Sequence, residues 1–430
     1  MITLDAARGY VLGGCQPLAP QERRIDEAVG CVLAETIVST VAVPPFDNSA
    51  VDGFAFCSRA IDEGPARLVV AGQVMAGDHS GRPAQPGEAV RIMTGAPIPP
   101  GTDTVCMLED AGSDPAGTTV VITRRIARGA NVRHAGEDVS AGEKVLAAGS
   151  VVGPVQVGIL ASVGRLRVSV HPPPRVGVLS TGDELHEGSD PLGPGGIRDS
   201  NRHLLLAAVT MAGGEPVDLG IVGDDIEAIT TAMFGAADAC DALVVSGGVS
   251  VGDRDLVKLA LRAVAGGDMR SMQVAIKPGK PLAFGILAGT QVPVFGLPGN
   301  PVSAMVSFEL FARPGLRRLA GHHRINRPVV VGRAAYDFRR RPDGKVHVLP
   351  VTATRAGDGV VWAASVEDCG SHRLSTMAHA NALAVLGDGD GIRKADPIDL
   401  WLLDPDGVIG DRDQGWELER DRVPAATPGR

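Results

Sequence analysis

The sequence has few cysteines and histidines for its length, and neither type is spaced like a metal site. Its 430 residues include six cysteines, which stand far apart and contain no C-x-x-C pair. This arrangement excludes the common zinc motifs and a secreted disulfide framework. The ten histidines show no H-x-x-x-H spacing, so we predict that none of them binds a metal.

Long apolar runs and an excess of positive charge are also missing. Residues 151–160 form an apolar segment, but two glycines, a proline and a glutamine interrupt it, and no run reaches membrane-spanning length. The N-terminus lacks a basic segment followed by an apolar one, so we expect no signal peptide. The 41 basic residues are outnumbered by 50 acidic ones, which gives a net charge of −9 and argues against nucleic-acid or membrane partners. We therefore predict a soluble, cytoplasmic protein.

Two common nucleotide-binding motifs are absent as well. No Gly-x-x-x-x-Gly-Lys-Ser/Thr sequence occurs, since Lys280 follows Gly279 but Pro281 comes next. No Gly-x-Gly-x-x-Gly opens a helix after a predicted strand. These absences disfavour a nucleoside triphosphatase and a nicotinamide-dependent enzyme.

A glycine-rich loop at residues 246–253 is the most informative feature that is present. It follows the apolar run 242–245, which is typical of a short buried strand, and precedes a segment with apolar residues at helical spacing. Glycines let backbone N–H groups point toward one place, and the next helix adds the positive end of its dipole. The loop therefore predicts an anion site, although a lone loop of this kind could equally be a tight turn.

Three further loops follow predicted strands in the same half of the chain. They are residues 181–185, residues 277–281 and residues 298–301. In an open parallel sheet, loops at the carboxyl ends of the strands meet in one crevice, where ligands bind. Four such loops, carrying Asp, Glu, Lys and backbone donors, predict a site for a phosphorylated or otherwise anionic ligand.

The pattern along the chain predicts a multidomain protein of the α/β plus β class. Strand and helix alternate in residues 171–325, which indicates a doubly wound α/β domain. Residues 3–12 and 22–35 show helical spacing. The predicted segments are an N-terminal mixed α/β domain (1–40 and 131–170), an inserted β-rich module (41–130), the α/β domain (171–325), a C-terminal β module (326–405) and a disordered tail (406–430).

Six motifs, in order, resemble those of the molybdopterin molybdenumtransferase family, which includes the C-terminal part of gephyrin. They are Pro-Phe-Asp-Asn-Ser-Ala-Val-Asp-Gly at 45–53, Arg-Ile-Met-Thr-Gly-Ala at 91–96, and the segments 181–185, 246–253, 277–281 and 297–303. The resemblance covers the chain to about residue 403. It implies that residues 171–325 bind molybdopterin, and that adenylylated molybdopterin and molybdate are converted to molybdenum cofactor and AMP with Mg²⁺.

The resemblance also implies which residues are catalytic and which bind the metal or the ligand. The implied catalytic residues are Asp52, Thr94, Asp138, Glu184, Asp224 and Asp255, of which Glu184, Asp224 and Asp255 would bind the metal. The implied ligand-binding residues are Ser246, Gly247, Gly248, Ser250, Lys277, Lys280, Pro298, Pro301 and Ser371. A homodimer with a shared active site is implied too, with the adenylyltransferase that supplies the substrate as a possible partner.

The residues by themselves leave other interpretations open. In its loop, Asp52 could be a turn residue, Thr94 could simply end a strand, and Asp138 could lie in a solvated turn. For the whole chain, the alternatives are a molybdopterin adenylyltransferase and a non-catalytic, gephyrin-like scaffold. The flanking domains argue against the first, and the complete set of acidic loop residues argues against the second.

Overall fold

The computed structural model describes residues 1–79, 81–247, 256–264, 269–366 and 370–408. It divides into two compact units, Gln21–Val170 and a second made of Met1–Pro20 and His171–Arg430. The first 20 residues thus belong with the C-terminal part of the chain, whereas the sequence analysis grouped them with residues 21–40. Within the described residues, no helix is long and apolar enough to cross a membrane.

The unit Gln21–Val170 is rich in short strands. Its largest sheet has six strands, in the order β8-β5-β7-β6-β10-β9, and all of them lie within residues 41–130, the range of the expected β-rich module. A helix, α2 (Pro154–Ser162), lies outside this sheet. The strands are β1 (Gln21–Arg24), β2 (Val32–Leu33), β3 (Ile37–Val38), β4 (Asn48–Ser49), β5 (Gly53–Phe56), β6 (Ala66–Val74), β7 (Glu88–Ile92), β8 (Thr104–Met107), β9 (Ala111–Ser113), β10 (Thr119–Ile122), β11 (Val132–Arg133), β12 (Lys144–Leu146) and β13 (Arg167–His171), with 3₁₀ turns at Ser58–Ile61 and Leu108–Asp110.

The predicted helix at residues 22–35 is wrong. Strand β1 pairs antiparallel with β13, and β2 follows after a turn. The apolar residues Ile25, Ala28 and Leu33 are buried, but Val29 is 56% exposed. A strand–turn–strand segment thus buries most of the positions that a helix would bury. The strand forms instead of the helix because β1 can pair with β13.

A six-stranded sheet forms the centre of the second unit. Four strands, in the order β17-β14-β18-β22, are parallel, and β21 and β19 continue the sheet antiparallel to their neighbours. The elements are α1 (Leu4–Gly13), β14 (Arg175–Thr181), β15 (Leu185–His186), β16 (Ile197–Arg198), α3 (Asn201–Ala212), β17 (Glu215–Val222), α4 (Ile226–Ala236), β18 (Ala242–Ser246), α5 (Leu256–Val264), β19 (Arg270–Gln273), β20 (Ile276–Lys277), β21 (Pro281–Ile286), β22 (Pro293–Leu297), α6 (Pro301–Ser307), a π-helical turn (Phe308–Ala312) and α7 (Arg313–Leu319).

Helices cover both faces of this sheet, which confirms the doubly wound fold. Alternate residues of a strand point to opposite faces. Val176 and Val178 of β14 lie in a core with α3, α6 and α7, whereas Leu179 lies in a second core with α4 and α5. The sheet is therefore buried on both sides, as parallel sheets require.

The C-terminal module is a small β structure. Strand β25 pairs with both β26 and β27, which closes five strands into a ring in the order β25-β26-β23-β29-β27. Its elements are β23 (Val329–Ala334), β24 (Phe338–Arg339), β25 (Val346–Arg355), β26 (Val361–Ser365), α8 (Leu374–Met377), β27 (Ala382–Leu386), β28 (Gly391–Ile392), β29 (Pro397–Leu402) and a 3₁₀ turn (Asp406–Val408). Val408 is buried, so the packed chain extends slightly beyond the predicted end of the module.

Gly53 gives a direct test of strand packing in the first unit. A Cβ on Gly53 would clash with the backbone carbonyl of Cys106 in β8, whereas a Cβ on Gly112 in the same sheet would make ordinary contacts at 3.7 Å. We expect Gly53→Ala to cost about 2–3 kcal/mol, because backbone must move. Gly112→Ala should stay within about 0.5 kcal/mol of wild type. Equal unfolding temperatures for the two variants would contradict the pairing of β5 with β8.

Candidate functional site

Three parallel strands of the α/β unit end level with one another. The register pairs Ser180 with Ser246, and Ser246 with Leu297. The loops that follow β14, β18 and β22 therefore begin at the same edge of the sheet. Strand β19 runs in the same direction, since it is antiparallel to β21 and β21 is antiparallel to β22.

A pocket lies where these loops meet. Its walls come from the ends of β14 and β18, from the start of α3 and from the loop before α6. The polar lining includes Thr181, Glu184, Ser200, Asn201, Ser246 and the backbone of Gly299, with Pro301 beside it. Hydroxyl, amide and charged groups lie beside apolar surface there, and Arg198 contributes a positive charge, which suits a phosphorylated ligand.

Gly247 allows the loop after β18 to approach β14. Its φ is +104°, and a Cβ there would lie 2.5 Å from the carbonyl oxygen of Thr181 and 2.8 Å from its Oγ1. The hydroxyl of Thr181 in turn donates to the carbonyl of Ser246, at 3.4 Å. Only glycine fits this position, because its φ is positive and because a Cβ atom would clash with Thr181.

An acidic group lies next to the pocket. The backbone N–H of Asp224 donates to Oδ1 of Asp183 at 3.0 Å. The pKa of Asp224 is raised, first by desolvation and then by repulsion from Asp183 and Glu184. Asp183, Glu184 and Asp224 thus lie close enough for their negative charges to repel one another. Among the described residues, no basic side chain offsets this effect on the pKa of Asp224. Within the part of the chain that the structure describes, however, no three Asp, Glu, His or Cys side chains are grouped closely enough to hold a metal ion.

The lysines and Ser371 lie in different surroundings. Lys277 is exposed in β20, opposite His347 of β25, and lines a second pocket with Asp343 and three arginines, at 339–341. This second pocket shares no lining residue with the first. Lys280 is half-buried.

Ser371 lies against the loop that precedes α6. Its Oγ accepts a hydrogen bond from Nδ2 of Asn300 at 3.3 Å, and its carbonyl accepts one from the N–H of Val302. Two hydrogen bonds thus join the segment of Ser371 to the residues around Pro301, and the binding role of Ser371 stays a prediction.

Asp52 and Thr94 form a second polar centre, in the unit Gln21–Val170. Oδ1 of Asp52 accepts both the backbone N–H of Thr94, at 2.7 Å, and its hydroxyl, at 2.8 Å. These two hydrogen bonds hold the pKa of Asp52 below its usual value. Asp52 is exposed, so an ionised carboxylate is presented to solvent in a fixed orientation.

Other loops of this unit converge on the same segment. Strand β4 pairs with β11, and Asp47 accepts the N–H of Ala135 at 2.8 Å and lies 3.2 Å from Nδ1 of His134. The N–H of Asp138 donates to the carbonyl of Val43, and its side chain is exposed. The segments that contain Asp52, Thr94 and Asp138 are therefore linked by hydrogen bonds, although they are distant in sequence.

Three predicted site residues lie outside the described part of the chain. They are Gly248, Ser250 and Asp255. The predictions for them stay predictions.

Family models match nearly all of the chain. A MoeA N-terminal region (domain I and II) matches residues 2–164, a probable molybdopterin binding domain matches residues 177–318, and a MoeA C-terminal region (domain IV) matches residues 332–403. The chain is 36% identical over 387 residues to the molybdopterin molybdenumtransferase of Haemophilus influenzae, which covers 90% of this chain and 94% of that protein. The chain belongs to the molybdopterin molybdenumtransferase family.

Other relatives agree with this assignment. Molybdopterin molybdenumtransferase 2 of Mycobacterium tuberculosis is 36% identical over 386 residues, which covers 87% of this chain and 91% of that protein. A molybdopterin biosynthesis moeA protein of Pyrococcus horikoshii OT3 has a similar structure, with a TM-score of 0.78 and 28% identity over 94% of this chain and all of that one. The similarity to members of the molybdopterin molybdenumtransferase family therefore extends over nearly the whole chain.

Sequence reasoning missed a buried network under the pocket of this family member. The hydroxyl of Ser180 donates to Oδ1 of Asp199 at 3.0 Å, and Nε of Arg202 donates to Oδ2 at 3.0 Å. Arg202 also pairs with Glu187 and Asp218. The only signal in the sequence is the position of Asp199, just before the segment that forms α3.

Removing the charge of Asp224 should stabilise the protein at neutral pH. Its raised pKa means that the folded chain retains this proton to a higher pH than the unfolded chain, so the ionised form disfavours the fold. We expect Asp224→Asn to raise stability at pH 7 by less than about 1 kcal/mol, because the group is exposed and screened. At a pH below the pKa that this carboxyl has in the unfolded chain, Asp224 is neutral in both states, so the gain in stability should vanish.

Thermal unfolding at pH 7 and at about pH 3, which lies below the usual pKa of an Asp carboxyl, measures this effect. Asp225→Asn is the matched control, because Asp225 caps α4 through a hydrogen bond that Asn can replace. A lower unfolding temperature for Asp224→Asn than for the control at pH 7 would show that Asp224 supports the fold.

Proposed function

We propose that this protein transfers molybdenum from molybdate to adenylylated molybdopterin, forming molybdenum cofactor and releasing AMP. Family membership supports the class of reaction. The observation that carries the proposal is the pocket at the carboxyl edge of the α/β sheet, where Ser246, Gly247 and the loop at residues 299–301 meet. Its polar lining, with an acidic group beside it, fits a substrate that has both phosphates and a site for a cation.

The two substrates are both anions, so the site must compensate negative charge. We infer that Ser246 and Gly247, with Gly248 and Ser250, bind the phosphates through hydroxyl and backbone N–H groups. Pro298, Pro301 and Ser371 would shape the opposite wall. The dithiolene of the pterin supplies the sulfur ligands for molybdenum, so no cysteine of the protein is required.

Molybdate would be bound by Lys277 and Lys280. The pocket beside Lys277 supports this role, because its basic residues (Lys277 and the arginines at 339–341) outnumber its two carboxylates, Asp337 and Asp343. Fixed cations beside an open pocket attract and orient an oxyanion.

Mg²⁺ would be bound by Glu184 and Asp224, with Asp255. The raised pKa of Asp224 indicates negative charge that a cation would relieve. The ion would supply charge stabilisation at the phosphates. The described residues alone do not complete such a site, so Asp255 is a necessary part of this proposal.

Asp52, Thr94 and Asp138, in the unit Gln21–Val170, would be catalytic residues. The lowered pKa of Asp52 keeps it ionised at neutral pH, so it can orient water. Thr94 would hold its carboxylate in place through the two hydrogen bonds described above. We further propose a cytoplasmic location, and an adenylyltransferase as the source of the substrate.

The reaction itself is tested with purified wild-type protein. We expect AMP release from adenylylated molybdopterin only when molybdate is present, and no consumption of ATP with molybdopterin. Asp225→Asn should remain active, since Asp225 only caps α4. ATP consumption would instead indicate the adenylyltransferase, and no turnover of either substrate would indicate a scaffold.

We also propose that the protein is a homodimer, as the family resemblance implies. Twofold dimers are the most common oligomers of soluble proteins. Light scattering should give twice the 44.3 kDa of the single chain. A particle of one chain mass at micromolar concentration would contradict the dimer.

A further inference from the structure

Asn201 joins two loops of the pocket through one side chain. It is the first residue of α3. Its Nδ2 donates to Oγ of Ser246 at 2.8 Å and to the carbonyl oxygen of Gly299 at 2.7 Å. Ser246 ends β18, and Gly299 lies between β22 and α6. Both hydrogens of the amide nitrogen are therefore used to connect the ends of neighbouring strands.

The partners of Asn201 fix the orientation of its amide. A carbonyl oxygen can only accept hydrogen bonds, so the atom that faces Gly299 must be the nitrogen. Oδ1 is buried and has no hydrogen-bond partner within the described residues. Buried polar atoms nearly always have a partner. Among the described residues, the two donor contacts of Nδ2 are therefore what holds the side chain.

The start of α3 is itself held rigidly. The backbone N–H of Arg202 donates to Oδ1 of Asp199 at 3.1 Å, the same atom that accepts the hydroxyl of Ser180. Asp199 and Arg202 are both buried. Ser200, in contrast, makes no capping hydrogen bond with its side chain. Asn201 therefore lies at a helix end that Asp199 holds in place. Its side chain can thus fix the positions of Ser246 and of the loop that contains Gly299.

We propose that Asn201 is a positioning residue of the pocket, which holds Ser246 and the loop of Gly299 at a fixed separation around the phosphate-bearing part of the pterin substrate. The inference rests on the proposed function. It follows that the residue acts through Ser246 and Gly299, and that its loss changes substrate binding and turnover more than stability.

Two substitutions of Asn201 test this role. Asn201→Ala removes both donors, and we expect at least about a tenfold loss of kcat/KM, with a raised KM for adenylylated molybdopterin. Asn201→Asp keeps the size but places a carboxylate against the carbonyl of Gly299, so its loss should be as large or larger. Thr210→Ala, on the same helix, is the control, because Thr210 contacts only a backbone carbonyl within α3.

A double-mutant cycle with Ser246→Ala tests whether Asn201 acts through Ser246. The effect of Asn201→Ala should be smaller in the Ser246→Ala background than in wild type, because one of its contacts is already absent. Thermal unfolding of all variants separates positioning from folding, and we expect temperatures close to wild type.

Several results would overturn the proposal. Wild-type KM and kcat in both Asn201 variants would do so, as would strictly additive effects in the cycle. Unfolding of both variants would make Asn201 a structural residue instead. If wild-type protein releases no AMP, the proposed function fails, and that result is distinct from a failure of the Asn201 variants in an active background.

Discussion

Parallel alignment of β14, β18 and β22 is the constraint on which the α/β pocket depends. Because Ser180, Ser246 and Leu297 lie in register, the loops after these strands start at one edge and enclose a common space. Residues just beyond the strands then determine how closely these loops approach one another. Gly247 permits close approach to Thr181, and the buried Asp199 ties the end of β14 to the start of α3.

The carboxylates of the two units are placed in opposite electrostatic environments. Asp52 accepts two hydrogen bonds from Thr94, which lowers its pKa, whereas Asp224 lies near two other carboxylates and loses solvent, which raises its pKa. The same side-chain type is thus stabilised as an anion in one place and destabilised in the other. A stabilised anion suits a group that orients water, and a destabilised one suits a site that gains a cation.

The sequence predicted the parts of the fold that local pattern controls. Helix α1 (Leu4–Gly13) matches the helical spacing of residues 3–12, and β18 (Ala242–Ser246) matches the apolar run at residues 242–245. Tertiary contacts decided the rest. The segment at residues 22–35 became strand and turn because β13 was available as a partner. The amide of Asn201 could not be assigned from sequence, because its partners Ser246 and Gly299 are distant along the chain.

The central claim is that the carboxyl edge of the α/β sheet binds the phosphates of the pterin substrate. A crystal structure of the protein with adenylylated molybdopterin tests it most directly. We expect phosphate oxygens within hydrogen-bonding distance of Ser246 or the backbone of Gly247, in the pocket that Asn201 and Gly299 border. A fully occupied ligand whose phosphates lie elsewhere, with this pocket unchanged and empty, would contradict the claim.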